Sequence, residues 1–303
     1  MFDWKSKRIA ELNSGSTVVK TIAGPMEYCE LGHGKALLSI HGGPGGYDQA
    51  LMVAQGLGQG YRLICPSRPG YLRTPLSTGK TIEAQADALV TLLDKLGINQ
   101  AAIAGYSAGG PIALQIALRH PERVWALILE SAVTKKYVIN QEKVGPLEKF
   151  IFLSSPGEWL INLLSSWRPD LLAQQIVDTE GDFDPDTAKT IISEILDDPR
   201  KVEFLQKLLH TMSPYCIRKE GLENDLKQLS DMDRYPLEHI TAPTLICHGK
   251  KDADVPFEHA QFAADTIPGA ELVAVEEGFH LLRLSEKWPD ILNKEKFFLK
   301  ALF

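Results

Sequence analysis

Cysteine is scarce in this chain. The four residues, Cys29, Cys65, Cys216 and Cys247, are spread over 303 positions, and no two form a C-x-x-C pair. The expectation is buried free thiols, not a disulfide framework or a zinc site. Positive charge is in deficit: 32 lysines and arginines against 39 aspartates and glutamates leave a net charge of −7. That balance argues against nucleic acid and anionic membrane surfaces as partners. Long apolar runs are missing too. None approaches the ~18 residues of a membrane span. The opening stretch MFDWKSKRIAEL lacks the apolar centre of a secretory signal, so a cytoplasmic location is expected. The lysine and hydroxyl of the phosphate loop G-x-x-x-x-G-K-[ST] are absent after the first glycine-rich loop, as is the dinucleotide fingerprint G-x-G-x-x-G, so no nucleotide cofactor is expected.

What is present is an ordinary globular composition, 44% hydrophobic and 23% charged, in a length that suits one large domain or one domain with an insertion. Residues 17–31 read as two short strands around the turn Gly24-Pro25. ALLSI (36–40), YRLICP (61–66) and residues 101–104 are short apolar runs, as are VWALILE (124–130), TLICHG (244–249) and ELVAVEE (271–277). Between and after them lie helical patterns at 81–97, 108–119, 257–267 and 287–302. Strands alternating with helices imply an α/β fold, a mostly parallel central sheet with helices on both faces. Continuous apolar runs are what strands covered on both sides look like.

The rhythm breaks near Ser131 and resumes after Thr241. The segment between is charged and helical in pattern, without a strong strand. The organisation that follows is a core in two parts, 1–130 and 237–303, interrupted by a helical insertion over 131–236. Trp159, Trp167, Phe150 and Phe152 are expected in the core of that insertion. The acidic stretch Glu180, Asp182, Asp184 and Asp186 is expected on its solvated face. Trp288, Ile291, Leu292, Phe298 and Leu302 recur at helical spacing and should pack the last helix on the sheet.

One stretch carries chemistry. In IAGYSAGGPIAL (103–114) an apolar strand runs into Gly105-Tyr106-Ser107-Ala108-Gly109, and a helix opens at once, with Pro111 in its first turn. A strand that becomes a helix within two residues needs a sharp turn. The residue at its tip is strained and exposed, and its neighbours must be small. The helix N-terminus also brings N–H groups and partial positive charge to the serine oxygen.

A serine hydroxyl is a weak nucleophile alone and needs a base held by an acid. Of eight histidines, His280 is best placed, on a loop after the last strand in EEGFHLL. His248 lies inside a strand run and is expected to be structural. His41 opens HGGPGG and is expected to bond loop backbone. His33, His120, His210, His239 and His259 sit in turns or helices without a motif. For the acid, the stretch GKKDADVP after the strand 244–249 offers Asp252 and Asp254, and Glu130 ends an earlier strand. Acyl transfer also needs donors for an oxyanion. The N–H of Ala108, directly after the serine, is one candidate. Gly43 in HGGPGG is the other. Tyr47 and Asp48, just beyond, are expected to pack that loop.

Four motifs in order, HGGPGG (41–46), GYSAGG (105–110), HGKKDADVPFEHA (248–260) and GFH (278–280), resemble the α/β-hydrolase superfamily from about residue 17 to the C-terminus. The resemblance implies that the insertion is a helical cap and that the chain order is nucleophile, acid, base. In the family pattern G-x-x-D-x-x-V-P the acid is the fourth residue, here Asp252, which leaves Asp254 to shape the turn or cap the next helix. HGGPGG is similar to proline iminopeptidases, whose nucleophile motif reads G-G-S-W-G where this chain has GYSAG. PSRPGYLRT (66–74) likewise departs from their D-x-R-G-x-G. Haloalkane dehalogenases and most epoxide hydrolases of this fold carry aspartate in place of the serine.

The resemblance therefore implies a serine hydrolase acting on a small-molecule ester or amide through Ser107, Asp252 and His280, as a monomer or homodimer and without a metal or organic cofactor. Carboxylester cleavage ranks first. An iminopeptidase-like aminopeptidase or amidase is the alternative, followed by a carbon–carbon bond hydrolase or a hormone-receptor-like ligand binder on the same scaffold.

Overall fold

A computed structural model gives the structure of residues 2–137 and 167–302. Phe150, Phe152 and Trp159 lie outside the described residues. The apolar runs form one eight-stranded sheet: β1 (Thr17–Lys20), β2 (Pro25–Gly32), β3 (Lys35–Ile40), β4 (Tyr61–Pro66), β5 (Ala101–Tyr106), β6 (Val124–Glu130), β7 (Thr244–Gly249) and β8 (Glu271–Val275). Their spatial order is β1-β2-β4-β3-β5-β6-β7-β8. β1 and β2 are antiparallel to their neighbours, and the ladder from β4 to β8 is parallel.

Every residue of β5 and β7 is buried. Their side chains alternate between two cores, as the period of two requires. Leu38, Ile103, Leu127 and Ile246 face one core, shared with α3 (Ile82–Lys95), α4 (Gly110–Arg119) and α9 (Glu258–Thr266). Leu37, Ala102, Ile128 and Leu245 face the other, shared with α2 (Tyr47–Ala54) and α10 (Trp288–Ala301). On α10, Ile291 and Phe298 are buried, and Trp288, Leu292 and Leu302 pack beside them, as their spacing suggests. Two helices were not legible in the sequence, α1 (Phe2–Ser14) and α2. α2 begins directly after the glycine-rich loop, which masks its start.

Between β6 and β7 the described residues form α5 (Pro169–Glu180), α6 (Pro185–Asp197), α7 (Pro199–Thr211) and α8 (Lys219–Ser230). Proline opens each of the first three. Asp184 and Asp198 cap α6 and α7 by accepting from N–H groups of their first turns. A third core joins Ala173 and Val177 of α5, Ile195 of α6 and Leu205 of α7 to Phe279 and Leu284. The helical layer thus rests on the loop that carries His280. Trp167 is 78% exposed, so it does not belong to that core. It lies before α5, where no described element covers it.

Candidate active site

Ser107 has φ +49°, in the left-handed region that a non-glycine residue enters at a cost of roughly 1–3 kcal/mol. It follows the last residue of β5 and opens a single tight turn, Ser107–Gly109, that leads into α4. The small neighbours are sterically required. A Cβ added at Gly105 would lie 2.7 Å from Ala113 Cβ, at Gly109 2.5 Å from the Ile40 carbonyl, and at Gly110 2.6 Å from the Val133 carbonyl. The Ser107 carbonyl accepts from Val133 N–H at 3.1 Å, which pins the elbow to the chain leaving β6.

The glycine-rich loop approaches the elbow from β3. Gly42 packs on the serine: a Cβ there would sit 3.0 Å from Ser107 Cβ and 3.6 Å from its Oγ. Gly43 comes next, with its Cβ direction toward Leu222, Tyr71 and Asp225. His41 is fully buried and bonds loop backbone. Its Nδ1 donates to the Gly42 carbonyl at 2.6 Å, and its Nε2 accepts from Arg68 N–H at 3.0 Å. Burial and the Arg68 charge push the ring well below its usual pKa, which suits that neutral tautomer.

Arg68 is the residue that sequence reasoning passed over. Its guanidinium donates to the His41 carbonyl at 3.0 Å and the Gly42 carbonyl at 3.2 Å, and to both carboxylate oxygens of Asp225 on α8. Tyr71 hydroxyl donates to the same carboxylate at 2.6 Å. The signal in the sequence was an arginine two residues past an apolar strand run, where burial is costly unless the charge is paired. Tyr47 is buried and donates to the Leu12 carbonyl at 2.8 Å, while Asp48 bridges Arg8 and Arg218.

Asp252 and His280 meet. Nδ1 of His280 lies 2.9 Å from Asp252 Oδ2. Asp252 is fixed by its other oxygen, which accepts from Asp254 N–H at 3.0 Å and Val255 N–H at 2.8 Å. His248 also reaches the carboxylate, with Nε2 3.1 Å from Oδ2 and 2.8 Å from the Val255 carbonyl. It is structural, as its strand position suggests, but what it supports is the acid. Burial alone would raise Asp252, yet the His280 charge and the two histidine bonds bring it down to about 2.

Of the two roles expected for Asp254, the helix cap is not formed: the N-cap position of α9 makes no side-chain bond. Oδ2 of Asp254 lies 3.4 Å from Nε2 of His280, and its Oδ1 accepts from Tyr137 hydroxyl at 2.9 Å. Glu180, the last residue of α5, turns in beside them, whereas Asp182, Asp184 and Asp186 are exposed as expected. Oε2 of Glu180 is buried without a partner among the described residues, and burial together with Asp254 raises the carboxyl to about 7. Burial pushes His280 down, but Asp252 and Asp254, with Glu180 behind them, lift it to about 10. Glu180, Asp254 and His280 bring potential ligand atoms within 4.8 Å of one another. The imidazole stands between Asp252 and Asp254 at ion-pair distances, and we read the group as an ion-pair cluster.

Two sequence candidates are not joined to this pair. Among the described residues no hydrogen bond links Ser107 to His280, a contact that often tightens only with substrate. Glu130 is bound to Arg283 instead, with Nη2 at 3.1 Å from Oε2 and a second, shorter contact.

A parallel sheet with a serine at a strand-to-helix elbow, and a bonded histidine–aspartate pair on loops beyond the strands, defines a hydrolase of the α/β class. Residues 35–152 match the alpha/beta hydrolase fold model. The chain belongs to this family. It is 30% identical over 267 residues to the uncharacterized hydrolase YcgS of Bacillus subtilis (strain 168), covering 87% of this chain and 91% of that protein. It is 28% identical to a pimeloyl-[acyl-carrier protein] methyl ester esterase of Aromatoleum aromaticum (strain DSM 19018 / LMG 30748 / EbN1), over 82% and 92% of the two chains. The solved alpha/beta hydrolase fold protein from Nakamurella multipartita superposes with a TM-score of 0.88 at 34% identity, covering 94% of this chain and 99% of that one. No helix among the described residues is long and apolar enough to cross a membrane.

Proposed function

We propose that the protein is a serine hydrolase that cleaves a small to medium carboxylic ester. The observation that carries this reading is the strained elbow at Ser107 on the same sheet end as the 2.9 Å Asp252–His280 bond. In the proposed reaction Ser107 Oγ attacks the ester carbonyl while His280 Nε2 takes its proton. Asp252 holds the ring through Nδ1. The N–H groups of Ala108 and Gly43 receive the oxyanion. His280 then gives the proton to the leaving alcohol, and a water deprotonated by the same ring releases the acid. The segment 131–236 is proposed as a cap that closes over this chemistry. An esterase, which is compatible with this reading, stands among the relatives, as do 2-hydroxy-6-oxononadienedioate hydrolases.

A fluorophosphonate probe should label the protein stoichiometrically, and Ser107→Ala should abolish labelling. Labelling that survives the substitution would overturn the assignment. A second reading, an aminopeptidase, is favoured by one observation, the Glu180–Asp254 pair of carboxylates beside His280, which suits a substrate amine. Short-chain p-nitrophenyl esters should nonetheless give a higher kcat/KM than prolyl-p-nitroanilide on one preparation.

A further inference from the structure

We infer that Asp254 is a positioning residue that holds the Nε2 side of His280 away from Ser107 and so sets the pH at which this histidine serves as a base. The inference rests on the proposed role of His280 and goes beyond it. A base that takes a proton from Ser107 must present an unprotonated Nε2 to that hydroxyl. Here Nε2 faces a carboxylate at 3.4 Å, and the opposite nitrogen faces another at 2.9 Å. A ring between two carboxylates is favoured as an imidazolium, which hydrogen-bonds Asp252 through Nδ1 and attracts Asp254 through its charge. The arrangement is held in place. Tyr137 hydroxyl donates to the Asp254 carbonyl at 2.5 Å and to its Oδ1 at 2.9 Å. The Glu180 carbonyl, at the negative end of the α5 dipole, accepts from Ala253 N–H at 3.1 Å and His280 N–H at 3.4 Å.

The charged and titratable groups around the ring are few. The loop after β7 contributes Asp252 and Asp254, α5 contributes Glu180, β7 contributes His248 through Asp252, and the chain after β6 contributes Tyr137. His259 and Lys135 stand one layer further out, with Thr134 N–H bonded to His259 Nδ1 at 3.1 Å. Arg283 is turned onto Glu130. The nearest groups are therefore carboxylates, and their combined field lifts His280 to about 10. Removing Asp254 lowers that value and frees Nε2 for the serine.

The test titrates the His280 ring by NMR in the wild type, Asp254→Asn and Glu180→Gln, and measures kcat/KM for p-nitrophenyl acetate from about pH 5 to about pH 10. An opposite charge within about 4–6 Å shifts a pKa by about 1–3 units. Asp254→Asn should move both the ring titration and the acidic limb of kcat/KM down by that amount. At neutral pH this is a gain of about tenfold or more, where a merely structural role predicts a loss at every pH. Glu180→Gln should move both in the same direction by less. A ring titration that stays in place in a folded Asp254→Asn protein overturns the inference. If that variant does not fold, an unmoved ring in Glu180→Gln overturns it. Loss of fluorophosphonate labelling at all pH values with a shifted ring would instead remove the esterase reading and leave the Asp254–His280 coupling standing.

Discussion

Arg68 and Asp225, 157 residues apart in the chain, are joined by two hydrogen bonds of 2.8 and 2.5 Å, with both side chains at 5% exposure or less. The pair fastens α8 to the loop that lies against Ser107, since the same guanidinium holds the His41 and Gly42 carbonyls. Removing one partner of a buried pair strands the other charge and costs about 3–5 kcal/mol. Asp225→Ala should therefore lose about that much stability in urea unfolding. Asp225→Asn, which keeps the shape and one acceptor, should lose less. In both variants kcat should fall more than KM rises, because the loop that would carry an oxyanion donor is loosened.

Asp252→Asn should lower kcat on the order of 10⁴-fold while the protein stays folded, the loss typical of an orienting aspartate in a serine hydrolase. Glu130→Gln tests the competing assignment. It removes half of the Glu130–Arg283 pair, so its melting temperature should drop, but kcat should stay within about tenfold of the wild type. A reversed order of kcat losses in steady-state assays would move the acid to Glu130.

Glu295, on α10, is 1% exposed, and both of its oxygens lack partners among the described residues. Burial, with the Glu130 charge second, raises it to about 8 from an ordinary value of 4.5. The folded state therefore holds this proton more tightly than the unfolded chain does. The stabilisation is complete below the unfolded value and is lost as pH rises through the folded one. At 1.36 kcal/mol per unit the full effect is on the order of 5 kcal/mol. Glu295→Gln should match the wild type in melting temperature near pH 4.5 and exceed it by several degrees above pH 8. Equal melting temperatures at both pH values would show that Glu295 ionises as freely in the folded protein as in the unfolded chain.

Gly109→Ala should destabilise the elbow, because the new methyl group would lie 2.5 Å from the Ile40 carbonyl and 2.7 Å from that of His41. Overpacking of this kind costs about 1–3 kcal/mol. The clash falls on β3 and the glycine-rich loop, so fluorophosphonate labelling should slow together with the loss of stability. Thermal melts and labelling rates on one preparation measure both.

The local features of the site are legible in the sequence because local sterics and periodicity dictate them. Gly105, Gly109 and Gly110 stand around Ser107 since nothing larger fits between β5 and α4 at those positions. Apolar runs mark β3, β5, β6 and β7 since these strands are covered on both faces. Asp252 and His280 follow adjacent parallel strands, β7 and β8, and chain order alone puts them on neighbouring loops. Tertiary structure alone decided which charges share a buried space. Glu180 belongs to an acidic stretch whose other members are exposed, and only the packing of α5 on the Phe279 loop turns it toward His280. Asp254 reads as a turn former until His280 folds against it. Arg68 meets Asp225 across 157 residues. Hydrophobic pattern reports which face of an element is covered. The electrostatic environment of a group depends on what covers it, and that is settled when distant segments meet in a medium of low dielectric.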